Sequence, residues 1–222
     1  AILIEKFIPK LLRNLRNGHQ HHHTVLTFRT NNNNNLQKEY NLIWTIWDKV
    51  KRSIEYHLSD GKLSHKKPDK FSGVIRLEIN WKQNDKYPDG KYHPHFHILA
   101  VGDTEISHFI RKKWLYFCDR LGKEASYNAQ EGRIVSEAKG ALREMFKYIH
   151  KPATEDGKAY PPQVIDNIFR TIKGKRTIRS YGNFRNSNHN KNLEEEVKED
   201  LEDYDPNIYA FRRPEEKDIW EY

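Results

Sequence analysis

The chain has 222 residues, with 32% charged and 36% in the apolar and aromatic set, which is enough for one domain with a real core. Its one cysteine excludes an internal disulfide. The formal charge of +8 is unevenly distributed along the chain. Residues 192–222 hold 12 acidic and 4 basic residues. The residues before them hold 35 basic and 19 acidic residues, for a net charge of +16. A body this basic is expected to attract a polyanion, most often nucleic acid, unless the charge serves solubility alone.

No apolar run approaches the length of a membrane span, and residues 1–10 are too few and too charged for a signal peptide. We therefore expect a cytoplasmic protein with no membrane partner. Composition divides the chain into a helical lead-in over residues 1–23, a main domain over residues 24–185 and a polar, acidic tail over residues 186–222. The tail is either a solvated, disordered end or a DNA mimic that competes for the basic face.

Hydrophobic periodicity predicts four elements in the first half of the chain. They are a strand, a helix and the two strands of a hairpin, over residues 24–30, 39–57, 71–81 and 92–101. The Tyr-Pro-Asp-Gly sequence that ends at Gly90 predicts a turn, and therefore a wide connection between the hairpin strands. In the first hairpin strand Arg76, Glu78 and Asn80 share one polar face, and their neighbours form an apolar face.

The second half alternates helical and strand patterns. The predicted elements are a helix that ends at Gly122, a short strand, two further helices and a last strand, over residues 104–121, 133–136, 138–150, 163–173 and 177–184. Taken with the hairpin, this order predicts an α+β fold in which helices flank a central antiparallel sheet.

The sharpest local pattern is H-P-H-F-H, which begins at His93. On a strand His95 and His97 project to one side, and Phe96 projects to the other. Two adjacent imidazoles repel each other when both are protonated, and a bound divalent cation removes that conflict. Glu78, on the polar face of the partner strand, can complete a site for Mg²⁺ or Mn²⁺. The alternative is a pair of ordinary surface histidines.

A second pattern lies on the predicted helix near residue 148, where four polar side chains cluster opposite the apolar stripe: Glu144, Lys147, Tyr148 and Lys151. A phenol between two lysines can attack a phosphate whose charge those lysines stabilise, and the glutamate can act as a general base on water. The alternative is a solvated helix face with an ordinary Glu–Lys pair.

Three ordered blocks carry a family resemblance: V-L-T-F-R-T-N from Val25, G-V-I-R-L-E-I from Gly73 followed by H-P-H-F-H, and E-M-F-K-Y-I-H-K from Glu144, with a weaker fourth block from Lys173. In these blocks the chain resembles the initiator proteins of rolling-circle plasmid replication, in the single-tyrosine branch of the HUH endonuclease superfamily. The resemblance implies a sheet like that of RNA-recognition motifs, with the catalytic helix beside it.

The resemblance also implies roles for the two clusters. His95 and His97, with Glu78, would hold Mg²⁺ or Mn²⁺. Tyr148 would attack the phosphodiester, leaving a 5′-phosphotyrosine and a free 3′-hydroxyl, and Glu144 would activate water in the terminating cleavage.

Further residues are candidates to contact DNA. By the same resemblance, Lys151 would polarise the phosphate, with Lys147 a weaker candidate for the same task. Apart from the resemblance, His93 is a candidate either to support the metal ligands or to contact DNA, and Arg176 and Arg179 belong to a set of basic residues, with aromatic residues among them, that suits single-strand binding. The expected partners are single-stranded or hairpin origin DNA and a host helicase and polymerase. Two alternatives stay open: a single-strand transposase or mobilisation relaxase with the same chemistry, and a non-catalytic DNA-binding module whose histidines are structural.

Overall fold

The computed structural model describes five stretches of the chain, all within one compact unit: residues 20–30, 35–59, 71–102, 104–135 and 159–185. Their strands and helices are, in chain order, β1 (Gln20–Thr27), α1 (Leu36–Ser59), β2 (Gly73–Asn84), β3 (Tyr87–Gly102), α2 (Thr104–Arg120), β4 (Glu131–Ile134), α3 (Pro162–Ile172) and β5 (Ile178–Tyr181). Within these stretches no helix is both long enough and apolar enough to cross a bilayer.

The five described strands form one sheet in the order β4-β1-β3-β2-β5, and every neighbouring pair is antiparallel. The long strand β3 therefore lies at the centre, with β1 on one side and β2 on the other. The predicted α+β fold with an antiparallel sheet and flanking helices is confirmed.

Helices α1 and α2 cover one face of this sheet. The apolar stripe of α1 includes Trp47, which is fully buried against Phe96 of β3. Trp114 of α2 is fully buried as well and donates from Nε1 to the carbonyl of Thr27 at 2.8 Å. Each large side chain buried in this way contributes about 1.5–3 kcal/mol. Because side chains alternate along a strand, burying Phe96 directs His95 and His97 to the opposite face.

Strand β1 begins earlier than predicted. Residues 20–23 belong to the strand, which ends at Thr27 rather than at Thr30. The reason is tertiary, because β1 pairs with β3 over its whole length, from Gln20 opposite Gly102 to Thr27 opposite His95. The three histidines of residues 21–23 are thus part of the sheet.

The prediction of a wide hairpin connection was wrong. The strands β2 and β3 are joined by two residues, Asp85 and Lys86. The Asn84 side-chain oxygen accepts the backbone N–H groups of Lys86 and Tyr87, both at 3.1 Å, so the chain reverses before the Tyr-Pro-Asp-Gly sequence. That sequence lies inside β3, where Gly90 has φ +71° and a side chain would collide with the Trp81 ring.

The helices predicted over residues 39–57, 104–121 and 163–173 are confirmed with small shifts of their bounds, and Gly122 and Gly174 follow two of them with φ +68° and +69°. The predicted strands over residues 133–136 and 177–184 are found with shifted or shorter bounds, as β4 and β5. The predicted helix over residues 138–150, the tail over residues 186–222, and residues 1–19 of the lead-in lie outside the described residues.

A buried ion pair ties the start of α1 to the loop after α2. Lys123 Nζ lies 2.7 Å from Glu39 Oε1, and both side chains are at most 7% exposed. We expect Glu39→Gln to lower the free energy of unfolding by about 3–5 kcal/mol, because it leaves a buried ammonium without a counter-charge. Urea titration followed by circular dichroism measures this loss.

The matched control is Glu124→Gln, which removes the partner of Arg29 in an ion pair of similar length, 2.8 Å, whose side chains are 61% and 73% exposed. Because solvent already stabilises those charges, Glu124→Gln should change the free energy of unfolding far less. Equal effects of the two substitutions would show that burial of the Glu39–Lys123 pair has no special role.

Candidate metal centre

The centre of the sheet brings the predicted metal ligands together. His95 on β3 lies directly opposite Glu78 on β2, and His97 lies two pairs further along, opposite Arg76. The two imidazole Nε2 atoms are 3.1 Å apart. Glu78 Oε2 lies 3.1 Å from His97 Nε2 and 3.8 Å from His95 Nε2. The three side chains thus converge on one point of the face that α1 and α2 leave uncovered.

The donor set fits a divalent cation. One ligand atom from each of Glu78, His95 and His97 lies within 4.8 Å of the others. Two imidazole nitrogens and one carboxylate oxygen suit first-row divalent ions and leave coordination positions for substrate oxygens. Such close convergence of groups that accept hydrogen bonds has a natural explanation in a shared cation.

Protonation states also favour metal binding. Burial, opposed by the charge of Glu78 and assisted by His97 and His93, lowers the pKa of His95 to about 4. Burial would raise the pKa of Glu78, but the hydrogen bond with His97 and the charges of His95 and Arg76 outweigh it, so the pKa lies below its ordinary value. At neutral pH the site therefore offers a neutral imidazole at His95 and an ionised carboxylate at Glu78, the forms that bind metals.

Arg76 belongs to the site, although nothing in its sequence pattern singles it out beyond the face that it shares with Glu78. Its guanidinium is 3.3 Å from Glu78 Oε2, its side chain is 3% exposed, and it lies opposite His97 in the strand pairing. Burial lowers the pKa of Arg76 and the charge of Glu78 raises it. A guanidinium stays charged in proteins, so Arg76 supplies fixed positive charge beside the cluster.

His23 is a second residue that sequence reasoning missed. Its Nε2 lies 3.2 Å from His97 Nδ1, and the two rings are stacked with centroids 5.4 Å apart. Burial, with smaller effects of His97 and Arg133, lowers the pKa of His23 to about 4, so this imidazole is neutral at pH 7. When a cation occupies His97 Nε2, the ring proton lies on Nδ1, and His23 Nε2 can accept it, which would hold His97 in the orientation that binds the metal.

We expect His23→Phe to weaken Mn²⁺ binding by about 10- to 100-fold, the usual cost of losing a residue that orients a metal ligand. His23→Gln should recover part of the affinity, because an amide oxygen can accept the same N–H. Isothermal titration with Mn²⁺ measures both variants. If affinity falls equally in the two, or in neither, the hydrogen bond to His97 does not orient the ligand.

His93 lies beside the cluster on the same face. Its ring centroid is 5.8 Å from that of His95, and its Nε2 lies 3.0 Å from Thr27 Oγ1. Burial lowers the pKa of His93, and the nearby charges of Lys91 and Lys82 add to this effect. His93 thus lies between the candidate metal ligands and two lysines, and its contact with DNA stays a prediction.

A groove of about 1060 Å³ opens next to the cluster. Its lining includes Glu78, His93 and further residues of the β2–β3 hairpin. Residues 27–30, 124–126, 129 and 130 line it as well. The four basic side chains in its lining are Arg29, Lys82, Lys86 and Lys91. A substrate bound to the metal ligands would therefore have room to extend along the hairpin.

The structure does not bring Arg176 and Arg179 to this cluster. Arg179 lies opposite Ile75, which belongs to the core beneath α1, and its guanidinium is 3.6 Å from the centroid of the Trp44 ring. It therefore lies on the helix-covered face of the sheet. Arg176 is exposed, and its carbonyl accepts from the Tyr40 hydroxyl at 3.4 Å. Their proposed contacts with DNA stay predictions.

The remaining predicted site residues, Glu144, Lys147, Tyr148 and Lys151, lie outside the described residues. Their roles rest on the sequence resemblance alone. The described sheet carries the histidine pair and the glutamate at the spacing on which that resemblance partly depends.

Comparisons with protein-family models, with curated proteins and with solved structures found no match for this chain.

Proposed function

We propose that this protein is a metal-dependent endonuclease that nicks and rejoins single-stranded DNA in the cytoplasm, as an initiator of rolling-circle replication does. The observation that carries the proposal is the cluster of Glu78, His95 and His97, whose ligand atoms lie within 4.8 Å of one another beside a basic groove. The sequence resemblance supplies the nucleophile and the biological setting.

When bound at this cluster, Mg²⁺ or Mn²⁺ would neutralise charge on the non-bridging oxygens of a phosphodiester. The residues of the chain prepare the site for that task. His95 and His97 direct their Nε2 atoms to one point, Glu78 adds an anionic oxygen, and His23 holds His97 in the required orientation. Arg76 contributes positive charge that can stabilise a phosphate in the same place.

The reaction that we propose exchanges one phosphodiester bond for another. The Tyr148 phenolate oxygen forms a bond to phosphorus, the bond from phosphorus to the 3′ oxygen breaks, and that oxygen leaves as a 3′-hydroxyl after taking up a proton. The product is a 5′-phosphotyrosine, so the energy of the broken bond is kept for rejoining. The free 3′-hydroxyl would prime a host polymerase.

The surroundings of the cluster favour phosphate chemistry over another use of the same ligands. Two histidines and one carboxylate also hold Fe(II) in oxygenases. Here the groove beside the cluster is lined by lysine and arginine side chains, and Arg76 is buried within reach of Glu78. Concentrated positive charge suits a polyanionic substrate.

The test uses the full chain and a randomised library of single-stranded oligonucleotides labelled at the 3′ end. With Mn²⁺, we expect the label to become covalently attached to the protein, while the upstream fragment carries a free 3′-hydroxyl. A chelator should prevent both. Cleavage that continues in the chelator would rule out the metal centre, and binding without attachment would favour the non-catalytic DNA-binding alternative.

The same library separates replication from transposition or transfer. Sequencing the DNA that is attached to the protein identifies the preferred site. A site from a plasmid replication origin supports the initiator, whereas one from a transposon end or a transfer origin would assign the same chemistry to the runner-up function.

A further inference from the structure

The groove beside the metal ligands has an ordered arrangement of charge along the β2–β3 hairpin. On the face that carries the cluster, successive cross-strand pairs are Glu78 with His95, Asn80 with His93, and Lys82 with Lys91. Tyr87 follows next to the turn, opposite Asn84. The chemistry of this face thus changes from metal ligands to neutral polar groups, and then to ammonium groups and an aromatic ring.

Within the described residues, the lysines of this groove, Lys82, Lys86 and Lys91, have no carboxylate partner. Glu124, an acidic residue in the lining, already pairs with Arg29. The exposed ammonium groups of Lys82 and Lys86 are therefore available to an anionic ligand, and Lys91, although buried as a residue, lines the same groove.

The hairpin tip holds these groups in fixed positions. Lys91 is 8% exposed, and its Nζ lies 4.7 Å from the centroid of the Tyr87 ring. The Lys86 Nζ lies 5.6 Å from the same centroid. Hydrogen bonds from Lys86 and Tyr87 to the Asn84 side chain close the turn. Because these side chains are already held in place, binding a ligand costs less side-chain conformational entropy.

Spacing along the strands sets the length of ligand that fits. Lys82 lies four residues from Glu78, which corresponds to about 13 Å on an extended strand. A ligand that spans this distance must carry a phosphate at the metal ligands and further negative charge a few nucleotides away. The groove, at about 1060 Å³, accommodates an extended segment of that size.

From these observations we propose that the hairpin groove is a binding track for single-stranded nucleic acid. Lys82, Lys86 and Lys91 contact the sugar-phosphate backbone, and Tyr87 stacks on a base. Basic side chains interleaved with an aromatic ring in a concave groove are typical of single-strand binding, whereas duplex is read by a helix or ribbon inserted into a groove of the DNA. This inference depends on the proposed function in one respect: it takes the bound strand to be the DNA that the enzyme cleaves.

The first test measures binding of a fluorescent oligothymidylate to the full chain in the presence of a chelator, so that cleavage does not contribute. Lys82→Gln/Lys86→Gln removes two exposed charges from the groove. Because each phosphate contact on a single strand contributes about 0.7 to the salt dependence, the slope of log Kd against log salt should fall by about 1.4, and binding should weaken by about 25-fold at 0.1 M salt.

The matched control is Lys38→Gln/Lys49→Gln, which removes two exposed charges from α1 and produces the same net charge. Its slope and affinity should equal those of the wild type. If the control loses as much as the groove variant, or if neither changes, the track does not exist. Tighter binding of a duplex of the same length would equally overturn the assignment to single strands.

Two substitutions at Tyr87 test the aromatic contact. Tyr87→Ala should weaken binding by about 5- to 150-fold, and Tyr87→Phe should keep most of the affinity because the ring remains. Equal losses in the two variants would show that the hydroxyl, and not stacking, is what matters. Circular dichroism establishes that each variant is folded.

Failure of this inference differs from failure of the proposed function. If the wild-type chain forms the covalent adduct but Lys82→Gln/Lys86→Gln leaves the salt slope unchanged, the nuclease function stands and the binding track is ruled out. If the slope falls in that variant but the wild type forms no adduct, the binding track stands and the nuclease function is ruled out.

Discussion

Replacing both His95 and His97 with alanine is expected to abolish Mn²⁺ binding and strand cleavage together. Loss of a residue that only orients a ligand costs about 10- to 100-fold in metal affinity, so loss of two ligands should exceed 100-fold. The structural reason is that Glu78 would remain as the single donor of the cluster. Isothermal titration measures affinity, and the labelled library measures cleavage.

A histidine outside the cluster provides the control. His108 is exposed on α2, where its Nδ1 lies 3.1 Å from the Tyr127 hydroxyl. His108→Ala should leave metal binding and cleavage unchanged. Retained cleavage in the His95→Ala/His97→Ala variant would mean that the reaction does not depend on this metal centre, whatever the affinity for Mn²⁺.

Replacing Tyr148 with phenylalanine is expected to reduce covalent attachment of DNA below detection while metal binding and single-strand binding persist. Phenylalanine keeps the ring and removes only the oxygen that attacks phosphorus. The measurement is gel separation of the 3′-labelled library after incubation with Mn²⁺, together with titration of Mn²⁺ and of oligothymidylate. An undiminished adduct from Tyr148→Phe would assign the nucleophile to another residue.

Glu144→Ala provides the matching contrast on the same predicted helix. Its assigned role is to activate water in the terminating cleavage, so the first cleavage and the adduct should persist while release of the protein from DNA is impaired. Equal loss of both steps would contradict that role and would indicate a general effect on the helix.

Alternation and spacing in the sequence were sufficient to predict the α+β fold and the three residues of the candidate metal centre. The apolar stripe of α1 and the alternation in β2 correctly separated the core face from the polar face. Glu78 was expected on the strand that partners His95, and the two residues are directly opposite each other. These properties depend on local periodicity, which a single sequence carries.

Other features depend on contacts that periodicity does not specify. The strand β1 extends back to Gln20 because β3 offers it a full-length partner, and only this extension places His23 against His97. The position of the hairpin turn depends on the side chain of Asn84, which competes successfully with a stronger turn sequence three residues later. As a result, the basic groove along the extended hairpin could not be predicted.

The face on which a basic residue lies also needs the register of its strand. Arg179 was expected to contact DNA because it lies in a basic segment near the end of the predicted domain. Pairing of β5 with β2 places it opposite Ile75 and beneath α1. A shift by one residue would have reversed this orientation, and nothing in the sequence alone fixes the register of a short edge strand.

The central claim is that this chain cleaves single-stranded DNA through a covalent tyrosine intermediate at a metal centre. Intact-mass measurement of the wild-type protein after incubation with Mn²⁺ and the single-stranded library, followed by peptide mapping, tests it most directly. We predict a species heavier by an attached oligonucleotide, with the DNA on Tyr148, that disappears in the chelator. An unmodified protein under conditions in which it binds both Mn²⁺ and DNA, or attachment at another residue, would contradict the claim.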